Sequence, residues 1–177
     1  MWWNLLKFYR LKHLLGFDVA NQFIQRVDRR SLQLILKKNG ARLGKNCDIE
    51  TGLIFHNCHD YSNLIIGDNS HIGKHCFFDL KEKIYIGNNS VISMRCTFIT
   101  HTDMGKSSLS QIYSPKALAI WIDDHVFVGA DVTVLMGVRI NPHAIVAAKS
   151  LVKDNVDRAT LVAGIPCRPI KTEIRYS

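Results

Sequence analysis

Ile122-Asp-Asp-His-Val-Phe-Val128-Gly-Ala-Asp-Val-Thr-Val134-Leu-Met-Gly-Val-Arg-Ile140-Asn-Pro-His-Ala-Ile-Val146-Ala-Ala-Lys-Ser-Leu-Val152 repeats an aliphatic residue at every sixth position without a slip. A smaller or aliphatic residue follows four places later each time, at Val126, Val132, Val138, Ala144, Ser150 and Val156. A helix of 3.6 residues per turn cannot keep every sixth residue on one side, and a single strand alternates by two. A sustained period of six is the signature of a parallel β-helix, in which each short strand is one wall of a coil. The aliphatic residue points into the prism and stacks on its equivalents in the coils above and below.

The same rhythm runs upstream, in Leu43-Gly44…Cys47, Ile66-Gly67…Ser70, Ile72-Gly73…Cys76, Ile86-Gly87…Ser90 and Ile92-Ser93…Cys96. Glycine suits a corner where backbone angles are unusual and side chains crowd. Cys47, Cys76 and Cys96 fall in the small inward slot, where a thiol behaves as a small buried hydrophobe. Two polar segments leave the period: Phe55 to Leu64, and the longer Met104 to Ala119, which contains Gly105, four serines and Pro115. Insertions in a solenoid loop out on one face and often carry binding. From Arg158 to Lys171 the chain departs from the period again, as expected of a segment covering the open end of the coil. The organisation expected is an N-terminal helical segment, 1–39, and an all-β solenoid, 40–177, with a loop excursion at 102–119 and a C-terminal cap at 157–177.

Residues 1–17, Met-Trp-Trp-Asn-Leu-Leu-Lys-Phe-Tyr-Arg-Leu-Lys-His-Leu-Leu-Gly-Phe, mix aromatic, aliphatic and basic side chains. A helix here either packs on the domain or a neighbouring subunit, or lies on a membrane with Trp2 and Trp3 among the headgroups. Asp18 is expected to cap a second helix carrying Val19, Phe23 and Val27, and Ser31 a third from Leu32 to Lys38, ended by Gly40. The net charge of +8 favours anionic partners. It is concentrated at the N-terminus, where ten lysines and arginines between residues 1 and 45 face only Asp18 and Asp28. A nucleic-acid module is disfavoured because the basic residues lack the aromatic interleaving of a recognised reader. Five cysteines without a CxxC pair argue against a disulfide scaffold and for a reducing compartment. Lys7, Arg10 and Lys12 interrupt any signal-peptide core, and no apolar run approaches a transmembrane span. The expected location is cytoplasmic, at the inner membrane face if residues 1–17 bind lipid.

One histidine stands where the rhythm breaks, in Phe98-Ile-Thr-His101-Thr-Asp103. Three stretches resemble the hexapeptide-repeat acyltransferases with a left-handed β-helix. Ile86-Gly-Asn-Asn-Ser-Val-Ile-Ser-Met-Arg-Cys-Thr-Phe-Ile-Thr-His101 is similar to the coil that ends in that family's catalytic histidine. The run from Ile122 is similar to its uninterrupted coils, and Leu161-Val-Ala-Gly-Ile-Pro-Cys-Arg168-Pro-Ile-Lys171 to its closing segment, with Cys167 where alanine is usual. The resemblance covers roughly residues 40–172 and is nearest the sugar and exopolysaccharide O-acetyltransferases.

That resemblance implies a homotrimer with active sites between subunits, acetyl-coenzyme A as co-substrate and a saccharide as acceptor. It implies His101 as general base, a task to which an imidazole of ordinary pKa ~6.5 is well matched. It points to Asp79 and His71 as residues near the acceptor; Asp79 is placed either to bind a hydroxyl or to orient the histidine. It points to Gly129 and Ala130 as the backbone facing the thioester, where a small residue admits it to an N–H donor. Lys149, Lys153, Arg168 and Lys171 become candidates for the phosphates of the coenzyme. No metal ligand set is assigned. A zinc site like that of the γ-class carbonic anhydrases, which share the β-helix, would need three convergent ligands, and the paired histidines of that family have no counterpart after His101. Other rivals are a serine or xenobiotic acetyltransferase, an amino-sugar N-acetyltransferase and a non-catalytic scaffold.

Overall fold

The computed structural model describes residues 1–172; the last residues of the expected C-terminal cap, 173–177, lie outside the described part. From Arg42 the chain winds as a parallel β-helix whose three faces are built from strands of two to five residues. The first face stacks Arg42–Leu43, Leu64–Ile66, Ile84–Ile86, Ile120–Ile122 and Arg139–Ile140. The second stacks Asp48–Ile49, His71–Ile72, Val91–Ile92, Phe127–Val128, Ile145–Val146 and Leu161–Gly164. The third stacks Ile54–His56, Phe77–Asp79, Thr97–Phe98, Thr133–Val134 and Leu151–Val152.

Register follows from the sixfold pattern. Ile66, Ile86, Ile122 and Ile140 pair in a column, as do Ile72, Ile92, Val128, Val146 and Val162, and all nine are buried. A one-residue slip would turn each column to solvent, so burial fixes the pairing. The third column is aromatic at its lower end. Phe55 stacks on Phe78 with ring centroids 5.6 Å apart, and Phe78 on Phe98 at 5.1 Å. That column leads directly into the segment carrying His101.

The small slot does more than fill space. Ser70 and Ser90 donate their hydroxyls to the carbonyls of Gly87 and Asp123 in the following coil at 2.7 and 2.8 Å. The thiols of Cys76 and Cys96 stand likewise against the carbonyls of Ser93 and Gly129, at 3.2 and 3.1 Å. A small donor therefore satisfies a corner carbonyl that the strand ladder leaves unused. Cys47 makes the same contact with Gly67 but is only half-buried, because the first coil has no coil beneath it. The role expected of glycine also changes. Left-handed backbone is supplied at the corners by Asn46, Asn69, Asn89, His125 and His143, with φ between 54° and 64°. Gly87 is needed for room: a Cβ there would lie 2.7 Å from backbone atoms of Asp123 and Asp124.

Three helices precede the coils: α1 (Trp2–Leu15), α2 (Phe17–Phe23) and α3 (Arg29–Lys38). Leu32, Ile35 and Leu36 of α3 are fully buried in the same core as Ile49 and Leu53 of the first coil, so α3 closes the open end of the prism. Gln33 and Asn21 add hydrogen bonds to the carbonyls of Cys47 and Phe55. The first insertion is anchored by Tyr61, fully buried, whose hydroxyl donates to Asn21. At the far end the chain follows one more strand through Val162 and then turns back, Cys167–Lys171 pairing antiparallel with Leu161–Gly164.

Two helix starts differ from expectation. Asp18 sits in the first turn of α2 rather than at its cap, which is Gly16. The third helix begins at Arg29 with Asp28 as cap: its carboxylate accepts from the Ser31 N–H at 3.0 Å and the Ser31 hydroxyl at 2.6 Å. Ser31 is thus the donor, not the cap. These bonds hold the Asp28 carboxyl down at about 2. Replacing Asp28 with alanine is expected to cost about 1 kcal/mol, read as a lowered urea midpoint. Because the folded pKa is depressed, the contribution is fully present above the ordinary carboxylate range and lost as pH falls toward 2, so the two proteins should converge in acid.

Candidate active site

Register builds the site. Phe78 pairs with Phe98, both pointing inward, which leaves Asp79 at the end of one strand beside the segment Ile99 to His101 of the next coil. The Thr100 N–H and hydroxyl then donate to Asp79 Oδ2 at 2.9 and 3.1 Å. His101 Nδ1 lies 2.5 Å from the same oxygen. Asn57, on the coil below, donates from Nδ2 to Asp79 Oδ1 at 3.0 Å and stands 3.3 Å from His101 Nε2. Both neighbours of the Asn57 amide nitrogen are acceptors, which fixes its orientation.

The Asp79 side chain is 2% exposed and that of His101 24%. Burial by itself would push the Asp79 carboxyl up, but hydrogen bonds from His101, Asn57 and Thr100 outweigh it and hold the group below its usual range. A carboxylate kept ionised here takes the Nδ1–H of His101 and leaves Nε2 with its lone pair. Nε2 faces a cleft of about 220 Å³ lined by Asn57, Lys81, Thr102, Asp103, Pro115 and Lys116. The excursion forms one wall, since His101–Thr102 pairs antiparallel with Lys116–Ala117. A second cavity of about 570 Å³ shares Asn57 and Lys81 with the cleft and extends between α2 and the first insertion. Its lining joins Ile54 and Phe55 to polar side chains, among them Asp18, Asn21, Gln22, Gln25 and His56. Cys58 also borders it, but burial, with nearby negative charge, pushes its thiol up to about 12, so it is no nucleophile at neutral pH.

Of the expected site residues, the structure brings Asp79 to His101 and holds the others elsewhere. Asp79 directs its oxygens to His101, Thr100 and Asn57, the geometry of a group that orients the histidine. His71 lies on the second face, paired with Asp48 at 2.9 Å. The Gly129 N–H donates to the Val146 carbonyl at 2.8 Å as part of the coil ladder. Its neighbour Ala130 sits at the turn beyond, where its carbonyl accepts from Lys149. Glycine at 129 answers to stacking, because a Cβ would lie 2.5 Å from the Ala148 nitrogen. Gly129→Ala is therefore expected to lower stability by about 1–3 kcal/mol, seen as a drop in Tm, whether or not a thioester is present. Lys153 and Arg168 converge on Asp154, at 2.8 and 3.9 Å. Lys149 stands on a left-handed corner and Lys171 at the end of the closing hairpin. Among the described residues no three His, Cys, Asp or Glu side chains gather as a metal would require. Asn57 and Lys81 are the site residues that sequence reasoning missed; the one signal for Asn57 is its place in the first polar insertion.

Residues 63–94 match the family model described as the hexapeptide repeat of succinyl-transferase. A galactoside O-acetyltransferase of Lactococcus lactis is 29% identical over 149 residues, covering 81% of this chain and 68% of that protein. The solved structure of a hexapeptide-repeat acetyltransferase from Vibrio cholerae superposes with a TM-score of 0.75 at 25% identity, over 96% of this chain and 90% of that one. Over most of its length the chain is similar to hexapeptide-repeat acetyltransferases. A tetrahydropyridine-dicarboxylate N-acetyltransferase of Staphylococcus aureus is 39% identical over a shorter stretch of 71 residues, which is 40% of this chain and 30% of that protein. The Vibrio cholerae protein has also been solved with acetyl-coenzyme A, at a TM-score of 0.74.

Proposed function

We propose that this protein transfers an acetyl group from acetyl-coenzyme A to a hydroxyl of a saccharide, with His101 as general base and Asp79 as its positioning residue. The observation that carries this reading is the buried, ionised Asp79 on His101 Nδ1, with Nε2 turned to a cleft. Nε2 takes the hydroxyl proton as the oxygen attacks the thioester carbonyl. The C–O bond forms, the C–S bond breaks, and the imidazolium returns the proton to the departing thiolate. Asn57 holds the waiting Nε2 until an acceptor hydroxyl replaces it. The adjoining polar cavity, rich in amide side chains, suits a polyhydroxylated acceptor. Lys153 and Arg168 are the cation pair best placed together for the coenzyme's phosphates. Exposed Val91 and Phe127, adjacent on the second face, support burial against another copy in a homotrimer.

The test is release of free thiol from acetyl-coenzyme A over a panel of mono- and oligosaccharides, nucleotide-linked sugars, amino sugars, serine and chloramphenicol. Saccharide-dependent release supports the reading. Release with amino sugars alone replaces it by N-acetylation, a chemistry represented among the relatives. Failure to bind the coenzyme overturns it.

A further inference from the structure

Helix α1 has two apolar sides, and the fold uses one. Leu5 and Phe8 are buried on the domain, with Phe8 edge-on to Phe17 at 6.4 Å. Around the helix from them, Trp3, Leu6 and Leu14 are 74%, 59% and 69% exposed. Positions 3, 6, 7, 10 and 14 share one stripe at helical spacing, so Lys7 and Arg10 stand between the exposed apolar residues. Trp2 and Leu15 extend this surface at its two ends. No acidic residue occurs before Asp18. Asp28, the next acid, is engaged in the α3 cap. Among the described residues neither Lys7 nor Arg10 has an ion-pair partner.

We infer that α1 docks this protein on an anionic lipid surface, lying in the plane of the interface with Trp3, Leu6 and Leu14 inserted and Lys7 and Arg10 on the headgroups. Charge decides between this occupant and a second copy. A protein–protein contact concentrates apolar residues at its centre and places charge at the rim. Here the cations lie within the apolar stripe, as in interfacial helices whose side chains divide between acyl chains and phosphates. A tryptophan at the membrane-facing edge fits the headgroup level, where an apolar ring with one N–H is favoured. The helix spans 14 residues, or about 21 Å at 1.5 Å per residue, which is too short to cross a bilayer and long enough to lie on one.

The test is co-sedimentation of the full chain with phosphatidylcholine vesicles, with and without phosphatidylglycerol, while oligomeric state is followed by analytical ultracentrifugation. Binding is expected to the anionic vesicles only and to weaken with salt. A Trp3→Ala/Leu6→Ala/Leu14→Ala variant and, separately, a Lys7→Gln/Arg10→Gln variant should each partition about tenfold or more weakly. All five side chains are exposed, so the fold, the oligomer and thiol release on a soluble acceptor should be unchanged. No binding to either vesicle, or equal binding to both, overturns the inference. Dissociation of the oligomer in the apolar variant overturns it in favour of a second copy on this face. The soluble assay needs no bilayer, so this result and that of the acetyl-transfer test stand independently.

Discussion

Replacing His101 with alanine is expected to lower the turnover of acetyl-coenzyme A by about 10²–10⁴-fold, the range of a general base. The effect should fall on kcat, because Nε2 acts on the proton moving in the transition state and the rest of the cleft is left to bind acceptor. Folding should survive. Without the imidazole, Asp79 keeps Thr100 and Asn57 as donors, so no bare carboxylate is left behind. Thiol release under saturating acceptor, beside thermal melting, separates the two effects. A variant retaining more than about a tenth of wild-type kcat with an intact fold would remove the histidine from the chemistry.

The second large effect is expected at Asp79→Asn. An amide presents one oxygen and one NH₂ to a site that supplies donors on both sides. With its oxygen at Oδ2, facing Thr100 and His101, its NH₂ meets that of Asn57. Turned over, the NH₂ meets the Thr100 N–H and obliges His101 to carry its proton on Nε2, the tautomer that cannot act as base. Loss of activity should approach that of the histidine variant, since the same change behind the histidine of a serine protease costs about 10⁴-fold. A buried donor conflict should also cost about 1–3 kcal/mol of stability. The pH dependence gives a further reading. The folded carboxyl lies below its ordinary range, so its contribution exists above that range and is lost as pH falls through the folded value. The acid limb of wild-type stability should therefore be shallower in the variant. Unchanged kcat with lowered stability would make Asp79 a structural residue alone.

The coils were legible because their physics is local and repeated. Three columns of inward apolar residues recurring at one spacing point to a β-helix, and the small slot was visible as a position before its donor role was. The helix starts were harder, since Asp28 and Ser31 are both good caps and only the geometry shows which donates. Asp79 could be placed near His101, but two roles fit it in sequence, and only its burial and its contact to Nδ1 favour the orienting one. Gly129 shows a second demand that sequence hides, because a glycine required by close stacking looks, in sequence, like one required by a ligand. Asn57 was out of reach: it joins His101 across 44 residues and lies in an insertion with no period to index it.

Asp79 and His101 meet because successive coils rise by about one strand spacing, ~4.8 Å, and carry their third-face strands in register. Nothing in that arrangement depends on the length of the segments hanging from the same corner. The long excursion, and the first insertion apart from Asn57 and Tyr61, can lengthen, shorten or change composition while the pitch of the solenoid keeps the two side chains together. On the proposed function, chemistry would belong to the screw of the backbone and acceptor choice to the segments hung from it. Grafting the 103–115 segment of a relative should redirect the acceptor without rebuilding the base.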